Sequence, residues 1–169
     1  MNVPKWIDDV LHNWKLCEFT SVSKDSPVSY PVGPFFYEKE QGRIIVATAV
    51  AYGKKVENLK KNPRVSMLFS NPTGCRLDYT PVVLVQGTAK VDDRDFVANF
   101  RFLEKFIPEF VRKQPSGAGI VGPGIRAWFM RKLFEWYLYR IIIEVTPETI
   151  LAWKNGDLDS DPERVEVTG

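Results

Sequence analysis

The sequence contains little of the side-chain chemistry that hydrolytic and metal-dependent sites require. Its 169 residues include one histidine, His12, and two cysteines, Cys17 and Cys75, which lie far apart in the chain. This leaves at most one candidate residue for a Ser-His-Asp triad or a zinc site with imidazole ligands, and it excludes a Cys-x-x-Cys redox pair. We therefore predict that His12 belongs to an N-terminal helix, and we expect no metal site.

Long apolar runs and a strong net charge are also absent. No stretch reaches the length of about 18 apolar residues that a membrane-spanning helix needs, and Asp8 and Asp9 interrupt the region where a signal peptide would be apolar. The 23 basic and 21 acidic residues leave a formal charge of +2, far below that of a general nucleic-acid binder. We expect a cytoplasmic protein that binds neither nucleic acid nor membrane, and its few thiols suit a reducing compartment.

The hydrophobic pattern of the first half predicts strands preceded by one helix. The size and the 44% hydrophobic content favour a single globular domain over residues 1–169. Apolar residues at helical spacing predict an amphipathic helix over residues 4–14. A hairpin with a turn at Ser26 and Pro27 is predicted next, and Pro31 places its second strand at a sheet edge, at a bulge or where the backbone turns toward a ligand. With further runs at 43–48, 64–70 and 80–91, the pattern favours a closed antiparallel barrel of five or six strands.

The second half is more helical. Acidic residues at 92–95 begin a predicted helix that Pro108 ends, and residues 125–138 predict an aromatic-rich second helix. We predict that this insertion, about residues 93–137, covers a ligand groove. Residues 117–122 match the letters G-x-G-x-x-G, but no strand precedes them, so a loop or lid is favoured over a dinucleotide site. Strands at 140–145 and 150–153 and a loose tail over 155–169 complete the prediction.

A candidate anion site follows the strand that ends at Thr48. Gly53, Lys54 and Lys55 stand at the start of a predicted helix over residues 53–63, where backbone N–H groups, a hydroxyl and ammonium groups suit a phosphate monoester. The alternative is that these lysines, with Lys60 and Lys61, form only the solvated face of a surface helix. The residues by themselves leave both interpretations open.

Five segments occur in a characteristic order. They are residues 17–22 (CEFTSV), 28–32 (VSYPV), 43–48 (RIIVAT), 55–69 (KVENLKKNPRVSMLF) and 85–91 (VQGTAKV). In this order they resemble the pyridoxamine 5'-phosphate oxidase-like family of FMN-binding split barrels, over about residues 17–92 with a weaker echo in 140–153. The most specific piece is Lys-x-x-Asn-Leu-x-x-Asn-Pro-Arg-Val-Ser, which begins at Lys55.

The resemblance implies a mainly β protein with added helices, a six-stranded antiparallel split β-barrel of the flavin-reductase type that forms a homodimer. It also implies FMN sites between the subunits, with the flavin ring along residues 28–32 and the phosphate near residues 48–49 and 53–55. No catalytic residue is predicted. The candidate cofactor-binding residues are Ser29, Tyr30, Pro31, Val32, Thr48, Ala49, Gly53, Lys54, Lys55 and Asn58.

Three departures from the family pattern concern the substrate. Ser29 stands where the true oxidase has an arginine, residues 79–82 replace an Arg-Gln pair, and the C-terminal substrate motif is missing. We therefore do not expect pyridoxamine phosphate oxidation, but an FMN-dependent oxidoreductase that passes hydride or electrons to another small substrate. One alternative is a reductase that uses the 8-hydroxy-5-deazaflavin coenzyme, whose acidic tail would suit Lys60 and Lys61. Others are a non-catalytic flavin or haem binder and a barrel without a cofactor.

Overall fold

The computed structural model describes residues 1–24, 26–70, 80–115 and 139–167 of the chain. Within these ranges there are eight strands and four α-helices. The strands are β1 (Cys17–Ser23), β2 (Ser26–Val32), β3 (Phe35–Glu38), β4 (Arg43–Ala49), β5 (Arg64–Phe69), β6 (Val82–Asp92), β7 (Arg140–Trp153) and β8 (Glu163–Glu166). The helices are α1 (Lys5–Asn13), α2 (Gly53–Lys61), α3 (Phe96–Glu104) and α4 (Ile107–Lys113), with a 3₁₀ turn at Val50–Tyr52 directly before α2. None of the described helices is long and apolar enough to cross a membrane.

The strands form one antiparallel sheet that curves around a common core. Their order is β2-β1-β5-β6-β7-β4-β3, and β8 pairs with the second half of β7. Although β3 and β5 are separated by three strands in this order, Phe35 and Phe69 pack edge to face with ring centroids 5.0 Å apart. The sheet therefore curves as a barrel does, and the prediction of a mainly β antiparallel fold with added helices is confirmed.

Helix α1 fills the interior of this curved sheet. Ile7, Leu11 and Trp14 are fully buried and share one core cluster with side chains of seven strands, β1 to β7. The helix follows Pro4, whose fixed φ suits a helix start, and it ends before the extended Trp14. The amphipathic helix predicted over residues 4–14 is thus present with nearly the expected bounds.

The predicted number of six strands was wrong, because β3 and β8 were missed. Residues 35–37 are all buried, since Phe35 and Tyr37 face the main core while Phe36 packs under α4. A strand buried on both faces lacks the alternation that reveals half-buried strands. Strand β8 lies in the charged stretch interpreted as a loose tail, and Trp153 also donates from its indole nitrogen to the Ser160 carbonyl at 2.9 Å.

Strand β7 is continuous, which corrects the prediction of two separate strands. The register against β6 shifts by one residue, since Gln86 pairs with Thr149 while Gly87 pairs with Pro147. The extra residue, Glu148, forms a bulge that lets the strand continue past the proline. A methyl group on Gly87 would collide with the carbonyl oxygen of Thr146, so the close approach at the bulge requires glycine.

Helices α3 and α4 replace the single helix that was predicted to end at Pro108. Pro108 instead lies in the first turn of α4, where its missing N–H costs nothing. Asp95 is the N-cap of α3, and its carboxylate accepts hydrogen bonds from the backbone N–H groups of Val97 and Ala98. Both helices cover the outer face of β3, β4 and β7 through a cluster that includes Phe36 and Phe106. The glycine-rich loop and the helix predicted at 125–138 fall outside the described residues.

Candidate functional site

The segment from β4 to α2 forms the first wall of the candidate site. Ala49 is extended, and the 3₁₀ turn at Val50–Tyr52 precedes Gly53, whose own backbone is helical with φ −55° and ψ −30°. The helical run thus begins at Val50, one turn before the predicted start at Gly53. Its unpaired N–H groups belong to this 3₁₀ turn. No heavy atom lies within 4 Å of the position that a Gly53 side chain would occupy.

Lys55 points from α2 onto two aromatic rings of the first hairpin. Its ammonium nitrogen lies 4.2 Å from the ring centroid of Tyr30 and 5.9 Å from that of Phe19. The two rings stack with centroids 5.8 Å apart and planes inclined by 17°. Lys55 is half-buried, and the partial withdrawal of its ammonium from water lowers its pKa. The attraction between the ammonium and the two rings holds Lys55 in a fixed position, where its charge can act on a bound anion.

The lysines of α2 differ in their partners. Lys54 pairs with Glu57 at 3.4 Å and Lys60 with Asp93 at 2.6 Å, and both lysines are exposed. Within the described ranges, no carboxylate lies within 4.0 Å of the Lys55 ammonium. The interpretation as a solvated helix face therefore suits Lys54 and Lys60, whereas Lys55 carries an uncompensated positive charge toward the barrel.

The four candidate residues of β2 are divided between the two faces of the strand. Tyr30 and Val32 face the core, whereas Ser29 and Pro31 are exposed on the opposite side. Strand β2 is the last strand of the sheet, so the prediction that Pro31 lies at an edge is confirmed. One flat ligand cannot contact all four side chains from a single side.

Hydrogen bonds fix the side chains on both faces of β2. The Tyr30 hydroxyl lies 3.1 Å from the Ser21 hydroxyl, and Ser29 and Thr20 join their hydroxyls at 2.6 Å on the other face. Burial raises the pKa of Tyr30, while the hydrogen bond from Ser21 opposes the rise. The ring under Lys55 is therefore neutral and held in place.

Two further candidates offer little surface. Thr48 and Asn58 are 5% and 6% exposed, so a ligand at the surface would reach their backbone or their edges only. Ala49 is half-buried beside the 3₁₀ turn and lies nearer to any ligand there. The structure thus brings Tyr30, Lys55 and the start of the helical run together, and it sets the other candidates around them.

Residues that the sequence analysis missed complete this site. Phe19 forms part of the support for Lys55, and its position opposite Tyr30 in the hairpin was available from the alternation of β1. Cys17, in the same strand, is buried, which raises the pKa of its thiol to about 12, although Lys113 and Lys55 oppose the rise. Lys113 is held near Cys17 by its hydrogen bond to the carbonyl of Phe35, 78 residues away in the chain, and no local pattern indicated this position.

Exposed apolar side chains lie on the elements that frame the site. Leu16 directly precedes β1, Val28 belongs to β2 and Val50 begins the 3₁₀ turn, with exposed fractions of 43%, 38% and 44%.

Comparison with known proteins supports the architecture. No protein-family model matches the chain, and no curated protein matches it. General Stress Protein 26 of Bacillus anthracis is similar in structure, with a TM-score of 0.60, 17% identity and coverage of 96% of this chain and 97% of its own. A Listeria innocua protein assigned as a pyridoxamine 5'-phosphate oxidase has a TM-score of 0.56 and 17% identity over 89% and 97% of the two chains. An F420 reductase has a TM-score of 0.57 and 17% identity over 88% and 98%.

The chain has the fold of the pyridoxamine 5'-phosphate oxidase-like split barrels. Its eight described strands exceed the six expected from the resemblance, and the two missed ones, β3 and β8, are each four residues long. On this split barrel, Lys55 and its aromatic support lie between the edge strand β2 and the start of the helical run, so the chain's own residues define the candidate site.

Proposed function

We propose that this split-barrel protein binds FMN in a homodimer and acts as an oxidoreductase that passes hydride or electrons to a small substrate. The observation that carries the proposal is the half-buried Lys55 ammonium, which has no carboxylate partner within the described residues. An uncompensated cation beside free N–H groups suits a phosphate monoester, the anionic end of FMN. The similarity to a protein assigned as a pyridoxamine 5'-phosphate oxidase supports a flavin-type cofactor.

The chain's residues have separate tasks in this proposal. Lys55 donates to the phosphate, and the N–H groups of the turn at Val50–Tyr52 supply further donors. The exposed edge of β2 offers backbone groups to a flat ring. The flavin, when bound, supplies the redox chemistry, so the protein needs to bind and orient it and no nucleophile is required.

The homodimer is proposed because the site is open on one side. Leu16, Val28 and Val50 frame it with exposed apolar surface, which a second copy would cover together with the cofactor. Sedimentation of the purified protein at micromolar concentration should show a dimer. A stable monomer that retains its cofactor would contradict this part of the proposal.

A deazaflavin coenzyme is the second candidate. The similarity to an F420 reductase supports it, and the exposed Lys61 on α2 is available to an acidic tail. Lys60 is less available because it pairs with Asp93. The visible absorption spectrum of the purified protein distinguishes flavin, deazaflavin, haem and no cofactor, and haem or none would contradict both candidates.

Substitution of Lys55 tests the phosphate site directly. Charge-assisted hydrogen bonds contribute roughly 1.5–3 kcal/mol, so Lys55→Ala should weaken FMN binding about tenfold or more. Lys61→Ala is the matched control, since it removes an exposed lysine of the same helix and should change affinity less than about twofold. Fluorescence titration of FMN with the wild type and both variants measures the difference.

Each outcome of this titration separates two interpretations. Equal affinities for the three proteins would mean that Lys55 does not contact the cofactor and would contradict the proposed site. A loss confined to Lys61→Ala would instead favour a cofactor with an extended anionic tail.

A further inference from the structure

Six adjacent strands place a polar residue at the same register on the outer face of the sheet. The pairings Ser29–Thr20, Thr20–Ser66, Ser66–Gln86, Gln86–Thr149 and Thr149–Glu166 connect them one after another. This set, called the polar row here, consists of Ser29, Thr20, Ser66, Gln86, Thr149 and Glu166. The next row on the same face differs, because its three central members are Leu68, Leu84 and Leu151. The polar row is therefore a local feature of the outer face.

The centre of the polar row forms the floor of a cleft of about 260 Å³. Thr20, Ser66, Gln86 and Thr149 line it, and Gly87 contributes backbone without a side chain. The bulge opposite Gly87 places Glu148 at the side of this cleft. Bulges commonly redirect side chains next to binding sites in this way. The cleft thus results from the same irregularity that lets β7 continue.

The charges around the cleft cancel. Arg64 and Glu148 both line it, and the guanidinium of Arg64 donates to the carboxylate of Glu148 at 2.8 Å. Both side chains are exposed, so the pair contributes little by itself, but it leaves the rim of the cleft without net charge, which suits an uncharged ligand.

Hydrogen-bonding capacity remains free at the centre of the polar row. Its flanking members are paired, since Thr20 bonds to Ser29 and Thr149 donates to Glu166 at 3.1 Å. In the part of the chain that the structure describes, the side chains of Ser66 and Gln86 make no hydrogen bond. A hydroxyl and an amide together offer three donor hydrogens and several acceptor lone pairs.

We propose that this cleft binds a small, uncharged, polyhydroxylated compound of the size of one sugar ring. Its volume corresponds to roughly nine water molecules and is just below the usual range for ligand pockets, which suits a single ring. Hydroxyl groups both donate and accept, as the free groups of Ser66 and Gln86 require. The inference does not depend on the proposed cofactor, since Lys55 is not among the lining residues.

Glucose is the probe, titrated into the full-length protein by calorimetry or by ligand-observed NMR. We expect saturable binding at one site with a dissociation constant of about 1 mM. Gln86→Leu should weaken it about fivefold, the effect of losing a net hydrogen bond. Gln41→Leu is the matched control, because Gln41 is exposed in the turn before β4 and the same substitution there should change nothing.

Three results would overturn the proposal. They are the absence of saturable binding up to about 100 mM, an equal affinity in Gln86→Leu, and tighter Gln86-dependent binding of the cationic analogue glucosamine. Thermal unfolding checks that Gln86→Leu is folded, and Ser66→Ala repeats the test with a smaller change. Loss of FMN binding in Lys55→Ala with glucose binding unchanged would show that the two sites are separate.

Discussion

The two halves of the curved sheet differ in how their buried and half-buried lysines are paired. Where α3 and α4 cover β3, β4 and β7, basic side chains meet carboxylates at close range. Glu38 joins Arg43 at 2.7 Å and Lys105 at 2.6 Å, and Glu109 joins the buried Lys113 at 2.8 Å. In the half built from β2, β1 and β5, Lys55 lies over Tyr30 with no such partner among the described residues.

This difference separates stability from ligand capacity. A buried cation that is already paired gains little from a ligand, whereas an unpaired cation in a partly buried position gains much. The covered half therefore holds the fold together, and the open half, with Lys55 on one face and the polar row on the other, retains unused interactions. Substitutions in the covered half should affect stability, and those in the open half should affect binding.

The largest effect is expected where the two halves meet, at the bulge of β6 and β7. Gly87→Ala places a methyl group against the carbonyl oxygen of Thr146, so we expect a loss of about 4 kcal/mol or more in the free energy of unfolding. Gly53→Ala is the control, because Gly53 has a helical backbone and free space, and alanine there should stabilise α2 by about 0.5–1 kcal/mol. Urea denaturation of both variants measures this, and similar stabilities would contradict the tight approach at the bulge.

Lys113→Met tests the covered half. The Lys113 ammonium is fully buried, donates to the Phe35 carbonyl at 2.8 Å and pairs with Glu109. Its removal leaves the Glu109 carboxylate with only the Arg112 guanidinium at 3.8 Å, so we expect a loss of about 3 kcal/mol with cofactor affinity unchanged. Adding Glu109→Gln should restore part of the stability. A loss below about 1 kcal/mol would indicate that the pair does not hold α4.

The dependence of stability on alkaline pH tests the burial of Cys17, which lies where the two halves meet. The positive charges of Lys113, in the covered half, and Lys55, in the open half, both act on its thiol. The thiol pKa is raised from 9.0 to about 12, so between these values the folded state retains a proton that the unfolded state has lost. Stability must therefore fall as pH rises through this window, by at most about 1.4 kcal/mol per pH unit. Tyr37, whose pKa is raised from 10.0 to about 12, acts in the same direction. Denaturation at pH 9 to 11 should show a shallower fall for Cys17→Ala, and identical slopes would contradict a buried neutral thiol.

The sequence was sufficient to predict an element where the hydrophobic residues of one segment followed a single helical or strand period. The helical spacing of Ile7 and Leu11 predicted α1, and alternation predicted the hairpin of β1 and β2. It was insufficient where distant segments decide the outcome. The sequence predicted separate strands at 140–145 and 150–153, but Gly87, far away in the chain, accommodates Pro147 at a bulge of one continuous strand.

The same limit applies to the candidate site. The lysine-rich start of α2 and the family resemblance indicated an anion site at Lys54 and Lys55, but the sequence did not show which lysines of the helix are neutralised. The difference between Lys55 and Lys60 arises from Asp93, 33 residues beyond Lys60, and from Tyr30 in another strand. Sequence patterns locate a cluster of cations, and tertiary contacts decide which of them is neutralised.

The pairing of β4 with β7 also constrains the order in which the chain can fold. Arg43 and Glu144, which bond across these strands, are 101 residues apart, whereas the β1–β2 hairpin joins neighbours in sequence. Closing so long a loop costs entropy before any contact rewards it, and domains rich in such distant pairings fold in milliseconds to seconds. The hairpin that carries Tyr30 can form early, but the sheet that surrounds α1 is complete only after β7 has been synthesised. During synthesis on the ribosome, the aromatic residues of β3 therefore emerge long before their partners, and this interval is when the chain is most exposed to aggregation.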